Sequence, residues 1–148
     1  MVTLEKFRKN IPYITSMLFV VLFVYAASSK LFDYQQFQIQ LGQSTILTAY
    51  ADTVAWIVPA LELILSFFLL FERYRLFALY ACLGLMTMFT VYIILILNFS
   101  DFVPCSCGGV LENLSWKEHV VFNVLFIMFV LFSILELEKR RDSKCEMI

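Results

Sequence analysis

Long uninterrupted runs of apolar residues, separated by short polar stretches, dominate the chain. Two of these runs carry no charged residue at all, one from Ile11 to Ser29 and one from Leu76 to Leu97. Each is long enough to cross a hydrocarbon core of about 30 Å as a helix. Backbone polar groups exposed to lipid must be satisfied within their own segment, so both runs predict transmembrane α-helices.

Two further apolar runs contain isolated interruptions. Val54 to Phe71 includes Pro59 and Glu62, and Val120 to Leu135 includes Asn123. Their length and composition still predict membrane spans. The sequence therefore predicts an all-α, integral membrane four-helix bundle that forms a single domain over residues 1–148. The expected spans lie at about residues 11–30, 53–71, 76–97 and 118–136.

Composition agrees with a membrane protein. Hydrophobic residues make up 61% of the chain and charged residues 16%, whereas soluble domains usually carry about 25% charged residues. Sixteen Phe with only four Gly and three Pro argue against a disordered or low-complexity chain. The net charge of −1 gives no electrostatic case for binding nucleic acid.

The distribution of basic residues predicts the orientation. Of the eleven Lys and Arg residues, only Lys30 and Lys117 lie on one side of a four-span topology. The positive-inside rule then predicts that both termini of this multi-pass membrane protein are cytoplasmic. Trp56 and Trp116 would lie near the outer interface. The basic residues on the other side are Lys6, Arg8, Lys9, Arg73, Arg75, Lys139, Arg140, Arg141 and Lys144.

The first span has a second interpretation. Its basic start, its apolar run and the small residues Ala26-Ala27-Ser28 resemble a signal peptide. The apolar run is longer than the usual core of a signal peptide, so we expect a retained helix.

Two segments are predicted to face outward. Residues 32–52 are rich in Gln, and Phe37 and Leu41 are one helical turn apart, which fits either a short interfacial helix or an irregular loop. The second segment, residues 98–118, joins the third and fourth spans. It contains Pro104-Cys105-Ser106-Cys107-Gly108-Gly109.

The four cysteines fall into two classes. Cys82 lies within the third span and Cys145 in the cytoplasmic tail, where a packing role and a free thiol are the ordinary expectations. Cys105 and Cys107 lie on the predicted outer side, one residue apart. Two thiols that close can pair, and a strained, exposed disulfide tends to be labile and exchanging.

The cysteine pair leaves three interpretations open. The first is redox exchange and the second is a disulfide that only stabilises the loop. Redox exchange is favoured, because closing so short a loop removes little chain entropy and would stabilise the protein only weakly. The third interpretation is a Cu(I) or zinc site formed by Cys105, Cys107 and His119. The chain has a single His and no second outward cysteine pair, so a complete ligand set is not evident.

Polar residues inside membrane spans often mark function. We expect Lys30, Glu62, His119 and Asn123 to form a polar pocket beneath the cysteine pair, with His119 and Asn123 four residues apart on one face of the fourth span. Trp116 is expected to support this pocket. The alternative is that these groups only hydrogen-bond helices together, which is the favoured interpretation for Asn123 alone.

Several of these residues also carry a resemblance to a known family. Ser29-Lys30-Leu31-x-Asp33 with Phe37 and Leu41, followed by Pro59-x-x-Glu62-Leu63, resembles the DoxX/MauE superfamily of small four-helix membrane proteins. The cysteine loop with Trp116, His119 and Asn123 resembles the MauE-like, redox-associated branch of that superfamily. MauE is implicated in maturing the disulfide-rich small subunit of methylamine dehydrogenase, alongside a thioredoxin-like partner.

The resemblance implies a role in periplasmic thiol–disulfide chemistry for a protein of the bacterial inner membrane, and not necessarily a role in methylamine metabolism. The hypothesis that follows is a thiol–disulfide oxidoreductase whose catalytic residues would be Cys105, Cys107 and His119. The partner would be a periplasmic thioredoxin-fold protein, a client protein or a larger membrane complex. A nearby cation such as Lys30 or protonated His119 would favour the attacking thiolate, and His119 could carry the proton. A quinone near the outer leaflet could accept electrons, although no motif demonstrates its site. The alternative is a non-enzymatic membrane subunit or assembly factor.

Overall fold

The structure, a computed structural model, describes residues 2–43, 48–99 and 116–145. The described chain is almost entirely helical. Its elements in order are α1 (Val2–Phe32), α2 (Tyr34–Gln43), a 3₁₀ turn (Thr48–Tyr50), α3 (Ala51–Leu69), α4 (Glu72–Phe99) and α5 (Trp116–Cys145).

Four of these helices are long and apolar enough to cross a membrane. The candidate spans are Asn10–Phe32, Thr48–Leu69, Glu72–Asn98 and Lys117–Ser143. The all-α prediction with four long apolar helices is therefore confirmed. Both α1 and α5 continue beyond the apolar runs, because the Lys, Arg and Glu residues that flank those runs are good helix formers.

The long helices close a ring in which each helix packs against two neighbours. The ring runs from α1 to α3, α4 and α5 and back to α1. Helices α4 and α5 are antiparallel, since Tyr80 near the start of α4 donates a hydrogen bond to Glu138 near the end of α5. At the other end, Ile96 and His119 line the same cavity.

The apolar core lies toward the end of the bundle where α3 turns into α4. Leu69, Leu79 and Val130 are fully buried there. The ring of Phe19 meets Phe23 and Phe126 edge-on, with centroid distances of 5.4 and 5.3 Å. Without a hydrophobic driving force between helices in lipid, such close packing is what holds a membrane bundle together.

Two hydroxyl hydrogen bonds accompany this packed core. Ser133 Oγ donates to Thr15 Oγ1 at 2.7 Å and so connects α5 to α1. Ser16 Oγ donates to the carbonyl oxygen of Pro12 at 2.7 Å, within α1. All four residues are buried, and the hydroxyl groups of Thr15, Ser16 and Ser133 are hydrogen-bonded inside the bundle.

The segment at residues 32–52, for which the sequence allowed either a helix or a loop, contains a helix. α2 follows α1 after Asp33 and packs against α3, where Leu41 contacts Ala51 and Ala55. The Tyr34 and Trp56 rings lie 5.3 Å apart. These contacts place α2 across one end of the α1–α3 pair.

The connection between α3 and α4 is a turn of two residues. The N–H of Leu70 donates to the carbonyl of Phe67, which closes the end of α3. α4 then begins at Glu72, an acidic residue that favours the positive end of the helix dipole. The side chain of Arg75 is largely buried beside it, with its guanidinium 5.7 Å from the centre of the Tyr13 ring.

Candidate functional site

A buried ion pair joins α1 to α3. Lys30 lies in the last turn of α1 and is 8% exposed, and Glu62 lies within α3 and is 2% exposed. Their Nζ and Oε1 atoms are 2.7 Å apart. Nζ also donates to the carbonyl oxygen of Ala26 at 3.4 Å, so the Lys30 side chain runs back along its own helix toward Glu62.

Aromatic rings surround the ammonium group of Lys30. Nζ lies 5.9 Å from the ring centres of both Phe37 on α2 and Phe89 on α4. This distance is within the range of cation–π attraction. Four helices are thus brought to one charged group, since α1, α2, α3 and α4 each contribute a contact.

The carboxylate of Glu62 is only half satisfied within the described part of the chain. Oε1 accepts from Lys30, whereas Oε2 is buried and has no hydrogen-bond partner there. The backbone carbonyl of Glu62 accepts from Ser66 Oγ at 2.7 Å, which leaves the side-chain atom unaffected. A buried acceptor without a partner is costly in a low-dielectric environment, so Oε2 marks a place for a donor.

The ion pair lines a cavity of about 350 Å³ that receives side chains from all five helices. This volume falls at the lower end of the range for small-molecule sites, which is about 300–1,000 Å³. Most of the wall is apolar. The polar side chains that line it are Tyr25, Lys30, Gln40, Glu62, Tyr92, His119 and Asn123.

The four residues expected to form a polar pocket, Lys30, Glu62, His119 and Asn123, all line this cavity. His119 is 6% exposed and Asn123 is 8% exposed, and they lie on successive turns of α5. Trp116 is the first residue of α5, but its side chain lies outside the described residues. The structure therefore brings four of the predicted side chains together from three helices.

The predicted redox pair is not among the residues that the structure describes. Cys105 and Cys107 lie in residues 100–115, outside the described residues. Cys82 is fully buried in the apolar core, among Leu79 and Val130. Cys145 ends α5, and its side chain is outside the described residues.

Metal binding was the alternative expectation for the cysteine loop. Among residues 2–43, 48–99 and 116–145, no group of three His, Cys, Asp or Glu side chains is arranged to hold an ion. The set formed by Cys105, Cys107 and His119 includes two residues beyond those ranges, so it stays a prediction.

The sequence did not single out the aromatic wall of the cavity. Phe89, Tyr92 and Ile96 line it from one face of α4, and Phe122 lines it from α5. Their spacing of three or four residues is a signal in principle. It was hidden because Phe and Tyr are frequent on every face of these helices, including the lipid-facing ones. The contribution of Gln40 was hidden because α2 itself was in doubt.

Comparison with known proteins identifies a family to which the chain is similar. The family described as methylamine utilisation protein MauE matches residues 8–136. No curated protein and no solved structure matches the chain. The matched range includes every residue that lines the cavity, together with Cys105 and Cys107.

Proposed function

Because the chain belongs to the MauE family, we propose that it is a membrane thiol–disulfide redox protein in which Cys105 and Cys107 exchange disulfides with a periplasmic thioredoxin-like partner or client. The observation that carries the proposal is the family match itself, since it extends across both cysteines and the polar cavity. The description of the family suggests methylamine utilisation as a context for the proposed activity.

The topology of the bundle supports a relation between the cysteines and the cavity. Residues 100–115 leave from the end of α4 and return at the start of α5. Ile96, near the end of α4, and His119, near the start of α5, both line the cavity. The segment that carries the cysteines is therefore attached at the end of the bundle that contains the ion pair.

Chain length limits how far Cys105 can lie from that end. It is six residues beyond Phe99, and a fully extended chain covers about 3.5 Å per residue, which gives about 20 Å. α4 has 28 residues and a length of about 42 Å at 1.5 Å per residue. Cys105 cannot reach the opposite end of the bundle from its attachment.

We further propose that both termini are cytoplasmic and that the cavity end faces the periplasm. Nine of the eleven basic residues then lie on the cytoplasmic side, as the positive-inside rule requires. This orientation in the bacterial inner membrane puts the cysteine pair in the compartment where disulfides form and persist.

The proposed step is a thiol–disulfide exchange. A thiolate of one protein attacks a disulfide sulfur of the other, which forms a mixed disulfide and releases one thiolate. The second thiolate of the attacking pair then displaces the partner, so one protein gains a disulfide and the other becomes a dithiol. Two electrons and two protons pass between the pairs in either direction.

The ion pair changes the role expected for Lys30 in this step. Its charge is compensated by Glu62 at 2.7 Å, which weakens any electrostatic effect on a thiol. We therefore assign the proton transfer to His119, which lies in the first turn of α5, close to the segment that carries the cysteines. Lys30, Glu62 and Asn123 are assigned to the cavity.

The redox state of the cysteine pair tests the proposal. Membranes are quenched in acid, denatured and treated with a large maleimide that slows migration in a gel. The chain has four cysteines. We expect two labels per chain before mild reduction and four afterwards, and only two under both conditions for Cys105→Ser/Cys107→Ser.

A second experiment identifies the partner. If one cysteine attacks and the other resolves, Cys105→Ser or Cys107→Ser alone should accumulate a mixed disulfide that reductant releases. Full function of the doubly substituted protein in a client's disulfide formation would instead favour the subunit or assembly-factor alternative. Thiols that react with maleimide only after a chelator is added would favour a Cu or Zn site.

A further inference from the structure

We infer that the cavity beside the Lys30–Glu62 pair binds a neutral, lipid-soluble molecule whose head is an aromatic ring with a hydroxyl group, the chemistry shared by phenols and hydroquinones. The inference goes beyond the proposed function, because none of its steps involves Cys105 or Cys107. It rests on the polar atoms, the charge balance, the size and the walls of the cavity.

The polar end of the cavity offers an acceptor next to a donor. Glu62 Oε2 is a buried acceptor with no partner in the described part of the chain. Lys30 Nζ carries three N–H groups and donates to two described acceptors, Ala26 O and Glu62 Oε1. A hydroxyl group fits this arrangement, since it can donate to Oε2 and accept from Nζ at once.

The charge balance favours a neutral ligand. The ammonium and the carboxylate are 2.7 Å apart and compensate each other. An anionic head would be repelled by Glu62, and a cationic head by Lys30, at distances where a low dielectric makes such repulsion large. A neutral donor–acceptor group avoids both penalties.

The size and lining of the cavity require an apolar body. Water occupies about 30 Å³ per molecule in the liquid, so about 350 Å³ would hold roughly ten molecules. Each buried water needs two to four polar partners, and the wall is mostly Leu, Ile, Val, Met and Phe. One or two waters at the ion pair could be held, but they would leave most of the space empty.

The walls near the ion pair favour a ring over an alkyl chain as the head. The rings of Phe37 and Phe89 each lie 5.9 Å from Nζ, and Phe122 lines the cavity from α5. Aromatic side chains bind another ring through stacked or edge-on contacts that add to simple burial. A planar head carrying a hydroxyl group can meet these rings and the ion pair together.

A route from the lipid exists in the described structure. Ile57 on α3 and Met88 on α4 line the cavity, and each has at least half of its surface exposed. The cavity therefore reaches a surface that would face acyl chains. A molecule dissolved in the bilayer could enter there without crossing water.

The test measures binding to the full-length protein carrying Cys105→Ser/Cys107→Ser, in phosphatidylcholine nanodiscs under anaerobic conditions. The probes are a decyl-substituted hydroquinone, the corresponding quinone and the hydroquinone dimethyl ether, each followed by equilibrium dialysis. We expect the hydroquinone to bind at least about tenfold more tightly than the other two, because only it can donate to Oε2. Equal binding of all three would overturn the inference.

Variants of the protein locate the site. Lys30→Met/Glu62→Met removes both charges and should weaken hydroquinone binding about tenfold or more, whereas Ala26→Phe should fill the cavity and abolish binding. Thr15→Val/Ser133→Ala is the control, since it removes a buried polar pair outside the cavity. Unchanged binding in the first two variants would overturn the assignment to this cavity.

Two more probes resolve the nature of the head. A decyl-substituted phenol that binds as tightly as the hydroquinone would show that one hydroxyl group is sufficient. Weaker binding of the phenol would identify hydroquinones as the ligand class. A saturated alcohol of similar length that binds as tightly as either would overturn the aromatic part of the inference. Because every measurement uses the cysteine-free loop, failure here leaves the proposed redox function untouched, and the converse also holds.

Discussion

The two ends of the bundle treat buried polar groups in opposite ways. At the packed end, where Leu69 and Val130 have no exposed surface, the buried hydroxyls of Thr15 and Ser133 are hydrogen-bonded to each other. At the cavity end, a charged pair adjoins open space, and Glu62 Oε2 lacks a partner within the described residues. The same helices, α1 and α5, contribute to both ends.

This contrast shows how a small membrane protein can combine a rigid core with a binding cavity. Close packing of small and aromatic side chains supplies the stability at one end. The other end keeps a void and a half-satisfied ion pair, both of which lower stability and suggest function. Substitutions at each end should therefore differ in their cost to stability, and four experiments test that contrast.

The largest effect is expected for breaking the ion pair. Lys30→Met leaves Glu62 as a lone buried charge and should lower the unfolding free energy by about 3–5 kcal/mol. Lys30→Met/Glu62→Met removes the uncompensated charge and should recover most of that loss. Unfolding in detergent micelles measures both variants, and equal losses in the single and double variants would contradict this account of the pair.

The second-largest effect is expected for a Leu→Ala substitution, which can be compared between the packed end and the cavity end of the bundle. Leu69→Ala in the packed core should cost about 2–5 kcal/mol, because its neighbours cannot collapse fully into the space. Leu41→Ala beside the cavity should cost less than half as much, since part of that side chain already faces a void. The same unfolding assay compares the two variants. A larger cost for Leu41→Ala would mean that the cavity end is as tightly packed as the core.

A smaller effect is expected for the hydroxyl pair. Ser133→Ala removes the hydrogen bond to Thr15 and should cost about 0.6 kcal/mol, the average for such bonds between membrane helices. A double-mutant cycle with Thr15→Val isolates the interaction. A coupling energy near zero would show that the hydroxyls do not stabilise the packed end through each other.

The smallest effect is expected at the surface of the cavity end. Gln38 Nε2 donates to Asp52 Oδ1 at 2.6 Å, but the contact is exposed. Gln38→Ala should change the unfolding free energy by less than about 0.5 kcal/mol, as for most surface substitutions. Gln36→Ala, at an exposed position on the same helix, is the matched control. A loss of several kcal/mol for Gln38→Ala alone would make α2 a major support of the bundle.

The apolar pattern predicted the four long helices. The polar residues that interrupt or flank it drew attention to Lys30, Glu62, His119 and Asn123, but not to their contacts. Uncharged runs of about twenty residues leave few structures other than membrane helices. Lys30 and Glu62 were notable simply because charges are rare in such runs. Their direct pairing depends on the rotamer of Lys30, which turns back toward Ala26, and on the register of α1 against α3.

Other features had no sequence signal of comparable strength. α2 combines Gln-rich polarity with a few apolar positions, so its pattern fits a loop as well as a helix until Leu41 is seen against Ala51 and Ala55. The cavity is a property of the spaces between five helices, and no periodicity within one helix reveals it. Phe89 and Phe122 become site residues only through that geometry.

The pairing of Lys30 with Glu62 also has a consequence for how the chain enters the membrane. A charged residue at the centre of an isolated helix costs about 2.5–3.5 kcal/mol to insert. Glu62 lies within α3 and carries this penalty, whereas Lys30 lies at the end of α1, so pairing with Lys30 offsets the cost of Glu62 only when both helices are present. The two-residue turn joins α3 directly to α4, so these helices form a hairpin that follows α1 in the chain. We therefore expect α1 to lower the cost of inserting this hairpin, because it supplies the partner of Glu62.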